Sequence, residues 1–500
     1  MRSSGILMPI FSLPSKYGIG CMSKEAYDFV DFLEESGQTY WQILPLGQTS
    51  YGDSPYQSFS TFASNPYFID LEVFIEKGIL SQRECEDCKF EGHPEYVDYD
   101  RIYSNRYKLL KKVFEATDLR EDVGFANYEE KQASWLEDYS LFMAIKNSLD
   151  GISWQEWPQK LKTRDARALA EMKNKLTDDI KFYKFLQYTF SMQWEKLRAY
   201  ANEHGIKIVG DIPIYVALDS ADAWSNSDMF QFDEEKTPIA VAGCPPDGFS
   251  PTGQLWGNPL YNWRQHEKTG YAWWIERMEQ CATLYDMVRV DHFRGFDEYY
   301  AIPAQDKTAE FGAWEKGPGI ALFEALAPCM EGLEIIAEDL GFMTPTVLKL
   351  VADSGFPNMK VLQFGFDPYN DSVYLPHNFD KNCVVYTGTH DNETTVGWYR
   401  NQPDDVKTYV LAYLDMETDD LYSNKTEKLV TKKMIRLAMM SAANICIIPL
   451  QDYLCMDNRA RVNAPASLGD NWKWRVRGEV FTQKLAGEIK NLVSMSARIQ

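Results

Sequence analysis

The sequence predicts an α/β fold, a (β/α)8 TIM barrel, on two observations. Eight short apolar segments recur along the 500 residues, and most are separated by stretches long enough to form a helix. Short apolar segments that alternate with helices are typical of parallel strands buried on both faces, and eight of them can close a barrel. The expected strands are residues 6–11, 40–46, 206–216, the segment leading into Arg289, 333–339, 359–366, 382–387 and 444–450.

The spacing of these strands is irregular in two places. About 160 residues separate the second and third strands, far more than one crossover needs. Their helical patterning predicts a mainly helical subdomain at 72–185, inserted into a single catalytic domain that spans 1–500. A Pro- and Gly-rich segment at 243–263 is expected to form an active-site loop. About fifty residues follow the last strand, enough for closing helices but not for a C-terminal β-domain.

Composition and charge exclude several classes of partner. The net charge of −22 argues against nucleic acid and anionic membranes, which are bound by clustered cations. No run of 18 or more apolar residues predicts a membrane span, and the N-terminus shows no signal pattern. Nine scattered cysteines suggest reduced thiols in a cytoplasmic protein. The single pair Cys85 and Cys88 has no second ligand pair nearby, so no metal site is expected.

The segment Arg289–Phe296 places several charged side chains at the end of a strand. Arg289 and Asp291 point to the same side because a strand alternates its faces. A guanidinium beside a carboxylate keeps that carboxylate ionised at neutral pH. Taken alone, the pair is equally consistent with a structural ion pair and with a functional site.

The other strand ends favour a functional site, because the C-terminal ends of barrel strands form the active face. Carboxylates that converge on one arginine acquire different pKa values, which suits Asp291 as a nucleophile and Glu338 as a general acid/base. This pair is typical of a retaining glycosidase-type mechanism, with carboxyl groups roughly 5–5.5 Å apart. The polar residues expected at the strand ends are Asp211, Arg289, Asp291, His292, Glu338, His390 and Asp391.

Long motifs in the chain resemble those of glycoside hydrolase family 77, the amylomaltases or 4-α-glucanotransferases. The resemblance spans nearly the full chain. The motifs are Ser12-Leu-Pro14, Tyr17-Gly-Ile-Gly20, Tyr51-Gly-Asp-Ser-Pro-Tyr-Gln57, Gly210-Asp-Ile-Pro-Ile214, Pro245-Pro-Asp247, Gly253-Gln-Leu-Trp-Gly257, Arg289-Val-Asp-His-Phe-Arg-Gly295, Ala337-Glu-Asp-Leu-Gly341 and Thr389-His-Asp-Asn-Glu393. The chain departs from the family pattern at Gly319–Phe323, which lacks an acidic residue, and at Asn463–Ser467, where Asn-x-Pro-Gly-Thr is more usual.

The resemblance implies a reaction and the residues that perform it. A segment of an α-1,4-glucan passes to the 4-hydroxyl of an acceptor glucan or glucose through a covalent glycosyl-aspartate. Asp291 is implied as the nucleophile, Glu338 as the acid/base and Asp391 as the residue that stabilises the distorted sugar. Arg289 and His390 support that subsite, and Asp211 corresponds to a third-strand aspartate shared with the α-amylases. No metal or organic cofactor is implied.

Further substrate contacts are expected from side chains on the active face. Aromatic rings can cover the apolar faces of glucose, and Asp247 can bind sugar hydroxyls. Core packing is an equally good explanation for each individual ring, and His292 is expected to play a supporting rather than a catalytic role. The remaining expected contacts are Tyr56, Phe249, Trp256, Phe364 and Asn463.

Two other functions remain open at this point: an α-amylase-like hydrolase and a non-catalytic glucan-binding barrel. The 243–263 segment would favour transfer over hydrolysis by covering the site and excluding water. The expected partners are maltooligosaccharide donors and acceptors, with no nucleic acid and no membrane, and the chain is expected to be a monomer or homodimer. Two physiological pathways, maltose use and glycogen turnover, remain open.

Overall fold

The structure is a computed structural model, and it describes residues 2–49, 52–90, 92–246, 250–341, 343–417, 420–467 and 469–499. These residues form strands β1 (Ser3–Leu7), β2 (Tyr40–Gln42), β3 (Lys207–Ile212), β4 (Ala240–Cys244), β5 (Gln254–Pro259), β6 (Met287–Val290), β7 (Glu298–Pro303), β8 (Ala313–Lys316), β9 (Glu334–Ala337), β10 (Asn358–Val361), β11 (Cys383–Tyr386) and β12 (Ile445–Pro449).

The helices of the described residues fall into two groups along the chain. Those before β3 are α1 (Lys24–Glu35), α2 (Glu72–Glu76), α3 (Gln82–Asp87), α4 (Tyr99–Ala116), α5 (Val123–Lys131), α6 (Ala133–Ser148), α7 (Gln159–Lys162), α8 (Ala166–Lys175) and α9 (Thr177–Glu203). Those after β3 are α10 (Ala221–Ser225), α11 (Trp263–Lys268), α12 (Ala272–Leu284), α13 (Ile320–Leu326), α14 (Pro345–Ser354), α15 (Thr395–Asn401), α16 (Asp404–Tyr413), α17 (Asn424–Met440), α18 (Leu450–Tyr453) and α19 (Gln483–Met495).

Eight parallel strands close into a barrel in the order β1-β12-β11-β10-β9-β6-β3-β2. The predicted (β/α)8 fold is therefore confirmed, and each of the eight expected segments overlaps one barrel strand, although β1 begins at Ser3 and β10 at Asn358, before the expected residues 6 and 359. The observed strands are shorter than expected because turns begin early. Strand β3, for example, ends at Ile212 rather than at residue 216, since Pro213 cannot donate a ladder hydrogen bond.

The barrel strands are buried on both faces. Alternate side chains fill the interior, and the others pack against the surrounding helices, as expected for parallel strands. In the register of β3 and β6, Asp211 lies opposite Arg289, and Arg289 in turn lies opposite Ile336 of β9. The interior cluster consists of Leu7, Tyr40, Val209, Met287, Ile336, Met359, Val384, Tyr386, Ile445 and Ile447. Arg289 and Asp211 therefore border this apolar cluster.

The long segment between β2 and β3 contains helices α2–α9. Helix α9 spans 27 residues and ends just before β3. It runs across the expected subdomain boundary at residue 185, which therefore falls inside a helix rather than in a linker.

A second sheet, not foreseen from the sequence, has the antiparallel order β5-β4-β7-β8. Its strand β5 lies within the 243–263 segment, so that segment is a hairpin and not only a loop. After β12, the described residues form helices α18 and α19 and turns. None of the helices in the described ranges is both long enough and apolar enough to cross a membrane.

Candidate active site

Arg289 and Asp211 form a buried ion pair at the top of the barrel interior. Nη1 of Arg289 lies 2.9 Å from both carboxylate oxygens of Asp211. The hydroxyl of Tyr56 donates to Oδ2 of Asp211 at 2.9 Å. Burial raises the pKa of Asp211 to about 7, although Arg289 acts in the opposite direction. Sequence reasoning did not anticipate this, because it could not show that Asp211 is wholly buried.

Asp291 follows β6 and meets the second nitrogen of the same guanidinium. Nη2 of Arg289 lies 2.9 Å from Oδ1 of Asp291, whose side chain is 29% exposed. The next residue, His292, has φ 52°, a left-handed conformation that turns the chain sharply. This turn points the backbone N–H of His292 at Glu338.

Glu338 follows β9 and is held by backbone donors. Oε2 accepts a hydrogen bond from the N–H of His292 at 2.6 Å, and Oε1 accepts one from the N–H of Leu340 at 2.8 Å. Burial raises its pKa to about 7, with Arg289 lowering and Asp291 raising it. The neighbouring Asp339 turns away and accepts from the N–H of Met359 at 2.9 Å.

Nη2 of Arg289 brings the two carboxyl groups together. It lies 2.9 Å from Oδ1 of Asp291 and 4.0 Å from Oε2 of Glu338. These two oxygens are therefore separated by no more than the sum of the two distances. Such a bound favours the retaining spacing over most of the range of about 6.5–9.5 Å that is typical of inverting glycosidases.

Asp391 and His390 complete the cluster at the end of β11. Oδ1 of Asp391 accepts a hydrogen bond from Nδ2 of Asn463 at 2.6 Å and lies 3.4 Å from Nε2 of His390. The same His390 nitrogen lies 2.9 Å from the hydroxyl of Tyr56. Burial lowers the pKa of His390 and so favours the neutral ring.

The expected aromatic contacts are only partly brought to this cluster. The Trp256 ring stands edge-on to His292 with centroids 4.9 Å apart, and the Tyr56 ring stacks on His390 at 5.4 Å. Phe364 is 45% exposed and packs edge-on against Tyr374. Asp247 and Phe249 lie outside the described residues.

His292 contacts Glu338 through its backbone and Trp256 through its ring. Burial lowers the pKa of its imidazole to about 3, so the ring is neutral near pH 7. A neutral His292 ring that packs against Trp256 fits the supporting role expected from the sequence.

Arg461 is a residue of this region that sequence reasoning missed. Its Nη2 donates to the backbone carbonyl of Asp391 at 2.8 Å, and its Nε donates to the carbonyl of Asn463 at 2.7 Å. Trp472 was also missed, and its ring packs against Tyr56 and His390. No signal in the sequence marks either one, since the contacts join segments far apart in the chain.

In chemical terms, the site combines a carboxylate beside a guanidinium with a second carboxyl group that titrates near neutrality. No group of three His, Cys, Asp or Glu side chains that could hold a metal occurs in the part of the chain that the structure describes. Fold and site together define an enzyme of the (β/α)8-barrel class, with its chemistry at the C-terminal ends of the strands.

Comparison with known proteins specifies the family. The family model described as 4-alpha-glucanotransferase matches residues 8–482. The chain is 46% identical over 495 residues to the 4-alpha-glucanotransferase of Clostridium butyricum, covering 99% of this chain and 100% of that protein. It is 47% identical over 504 residues to the enzyme of Streptococcus pneumoniae, covering 100% and 98%. Amylomaltase from Streptococcus agalactiae, solved in complex with acarbose, has a TM-score of 0.95 at 38% identity, with 100% of both chains covered. The chain belongs to the 4-alpha-glucanotransferases of glycoside hydrolase family 77, which are hexosyltransferases.

Proposed function

We propose that this enzyme transfers a segment of an α-1,4-glucan to the 4-hydroxyl of an acceptor glucan or glucose by a retaining double displacement. The observation that carries the mechanism is the position of Arg289, whose Nη2 reaches Asp291 at 2.9 Å and Glu338 at 4.0 Å. A spacing near the retaining value of roughly 5–5.5 Å is compatible with this geometry. The relative from Streptococcus agalactiae was solved in complex with acarbose, which supports binding of oligosaccharides by this chain.

In the first displacement, the carboxylate of Asp291 attacks the anomeric carbon of the donor. The bond from that carbon to the glycosidic oxygen breaks, and the protonated carboxyl of Glu338 delivers its hydrogen to the departing oxygen. The pKa of about 7 lets Glu338 hold this hydrogen near neutrality. The products are a glycosyl ester on Asp291 and a shortened glucan.

In the second displacement, the ionised Glu338 removes the hydrogen of the acceptor 4-hydroxyl. The acceptor oxygen attacks the anomeric carbon, and Asp291 leaves as a carboxylate. Two inversions restore the α configuration, and Glu338 is again protonated.

The remaining polar residues are assigned to the sugar subsite. Asp391, oriented by Asn463, accepts hydrogen bonds from ring hydroxyls and stabilises the distorted sugar. His390 donates at the same subsite, and Trp256 and Tyr56 cover apolar sugar faces. Buried Asp211 fixes the orientation of Arg289. Phe364, Asp247 and Phe249 remain proposed contacts further along the chain of sugars.

The balance between transfer and hydrolysis depends on which molecule reaches the ester. The hairpin of β4 and β5 carries Trp256 against His292, next to Asp291, so the 243–263 segment reaches the site. We assign to this segment the exclusion of water. A cytoplasmic location and a monomer or homodimer remain predictions.

Incubation with pure maltotriose separates the proposed function from its alternatives. Transfer yields glucose together with maltopentaose and longer chains, whereas an α-amylase-like hydrolase yields only maltose and glucose. A non-catalytic barrel leaves maltotriose unchanged. Asp291→Asn is the matched control, because it should abolish turnover while glucan binding persists. Products confined to maltose and glucose would overturn the transferase assignment.

A further inference from the structure

Two buried polar atoms beside the carboxylate cluster have no hydrogen-bond partner among the described residues. They are Nδ1 of His390 and Oε1 of Gln451. The two residues are 3% and 4% exposed, and both line one cavity of about 10 Å³. A buried polar atom without a partner is destabilising, so two of them at one cavity call for an explanation.

The volume matches a single water molecule, which needs about 10–15 Å³ and at least two polar partners. We propose that this cavity binds one water that donates its two hydrogens to Nδ1 of His390 and Oε1 of Gln451. Gln451 thereby becomes a positioning residue that acts on His390 through the water. The inference rests on the proposed function for its catalytic consequence, but not for the water itself.

Gln451 is oriented to accept a hydrogen bond from the cavity. It lies in α18, at the end of β12, and its Nε2 donates to the carbonyl of Ala460 at 3.2 Å. This contact fixes the orientation of the Gln451 amide, with its nitrogen toward Ala460 and its oxygen, Oε1, left to accept a hydrogen bond.

The contacts on the other side of the ring favour the tautomer of His390 that carries its hydrogen on Nε2. Nε2 lies 2.9 Å from the hydroxyl of Tyr56 and 3.4 Å from Oδ1 of Asp391. Tyr56 has one hydrogen, and it donates that hydrogen to Asp211 at 2.9 Å. Both neighbours of Nε2 are therefore acceptors, and a neutral ring with its hydrogen on Nε2 leaves Nδ1 as an acceptor. A water that donates to Nδ1 stabilises this tautomer.

The tautomer matters because it sets what His390 offers to substrate. With the hydrogen on Nε2, the ring presents one donor that is shared between Tyr56 and the subsite that Asp391 lines. The opposite tautomer would place a lone pair there and lose the hydrogen bond to Tyr56. Gln451 thus influences sugar binding without touching sugar.

The tautomer can be read directly by ¹⁵N NMR, since the chain has only six histidines to assign. The wild type should show His390 protonated on Nε2, and a high-resolution crystal structure should show one water within hydrogen-bond distance of Nδ1 and Oε1. In Gln451→Met, which keeps the length but removes the acceptor, the Nδ1-protonated form should grow and kcat/KM should fall between about twofold and tenfold.

Two further variants separate this effect from loss of fold. Gln451→Glu keeps an acceptor and should retain the wild-type tautomer. Gln187→Met removes another buried glutamine, which bonds Ser64 in the helical region, and should lower stability without changing His390. A wild-type ring protonated on Nδ1, a cavity without water at high resolution, or an unchanged tautomer and rate in Gln451→Met would each overturn the inference. The NMR and crystallographic results hold even if maltotriose is not disproportionated, so failure of the proposed function would be recognised separately.

Discussion

Arg289 and Asp211 lie opposite each other on neighbouring strands, and one guanidinium nitrogen of Arg289 lies 2.9 Å from both carboxylate oxygens of Asp211. The other nitrogen faces Asp291 and Glu338. One buried cation therefore supports three carboxyl groups. Its removal should affect stability and chemistry together.

Arg289→Met is expected to lower the free energy of unfolding by about 3–5 kcal/mol at pH 9, because Asp211 becomes a buried charge without a partner. The loss should be smaller at pH 6. Asp211 already has a pKa of about 7, and removal of the cation raises it further, so at low pH the carboxyl is neutral in both proteins. Urea titrations at the two pH values measure the difference. The double variant Arg289→Met with Asp211→Asn should recover stability at pH 9, and a double variant no more stable than the single one would contradict this explanation.

The raised pKa of Glu338 predicts opposite effects of its replacement on activity and stability. Its pKa shifts from 4.5 to about 7 on folding, so the folded state holds a proton that the unfolded state releases between these values. Wild-type stability should therefore fall as the pH rises through this window. Glu338→Gln removes this dependence of stability on pH. The free energy of unfolding of the variant, relative to that of the wild type, should therefore increase by on the order of 3 kcal/mol between pH 4.5 and 8. The same substitution should abolish activity.

Unfolding experiments across this pH range test the Glu338 prediction. Glu334→Gln is the control, because Glu334 lies in β9, the strand that Glu338 follows, and its side chain is 52% exposed. This substitution should leave the dependence of stability on pH unchanged. Equal profiles for wild type and Glu338→Gln would show that Glu338 titrates normally.

Arg461→Met should lower kcat/KM for maltotriose by about tenfold or more, because two hydrogen bonds that hold the backbone at Asp391 and Asn463 are lost. Arg461→Lys should recover only part of the activity, since lysine cannot reproduce the planar fork. Arg459→Met provides the matched control, because that side chain is 86% exposed and pairs with Asp457. Equal losses in Arg461→Met and Arg459→Met would mean that Arg461 has no special role.

Ala466 has φ 59°, a left-handed conformation that suits glycine. This is the position at which the chain departs from the glycine usual in the family. Ala466→Gly should raise the free energy of unfolding by about 0.5–1 kcal/mol. Glycine relieves the strain of the left-handed conformation, and this gain is larger than the loss caused by the greater entropy of the unfolded chain. Calorimetry measures the change. Ala464→Gly, two residues earlier in the same segment, should instead be destabilising, and a gain of equal size in both would contradict the role assigned to φ.

The barrel and the location of its polar residues could be predicted because both depend on local patterns. Short apolar segments mark the strands. Asp211 lies at the end of β3, Glu338 directly follows β9, and Asp391 lies in the turn after β11. Strand ends were less predictable, since Pro213 stops β3 earlier than its apolar pattern suggests. The second sheet was missed because β5 lies in the segment interpreted as a loop, and no strand was predicted where β4, β7 and β8 lie.

Other features of the site depend on contacts between distant parts of the chain. Arg461 meets Asp391 across 70 residues, and the cavity between His390 and Gln451 exists only after the barrel closes. The pKa of Asp211 depends on how deeply it is buried, which the sequence around it does not reveal. How deeply a residue is buried, and which distant residues it contacts, are determined only when the chain folds.

The central claim is that Asp291 forms a covalent glycosyl ester, and trapping that ester tests it most directly. A maltosyl fluoride can glycosylate the enzyme without acid assistance, and Glu338→Gln should slow release because no general base remains. Mass spectrometry of the digested protein should then show one glycosyl unit on the peptide that contains Asp291, and none in the variant that also carries Asp291→Asn. A label on another residue, or turnover of the fluoride with no labelled peptide, would contradict the double-displacement mechanism.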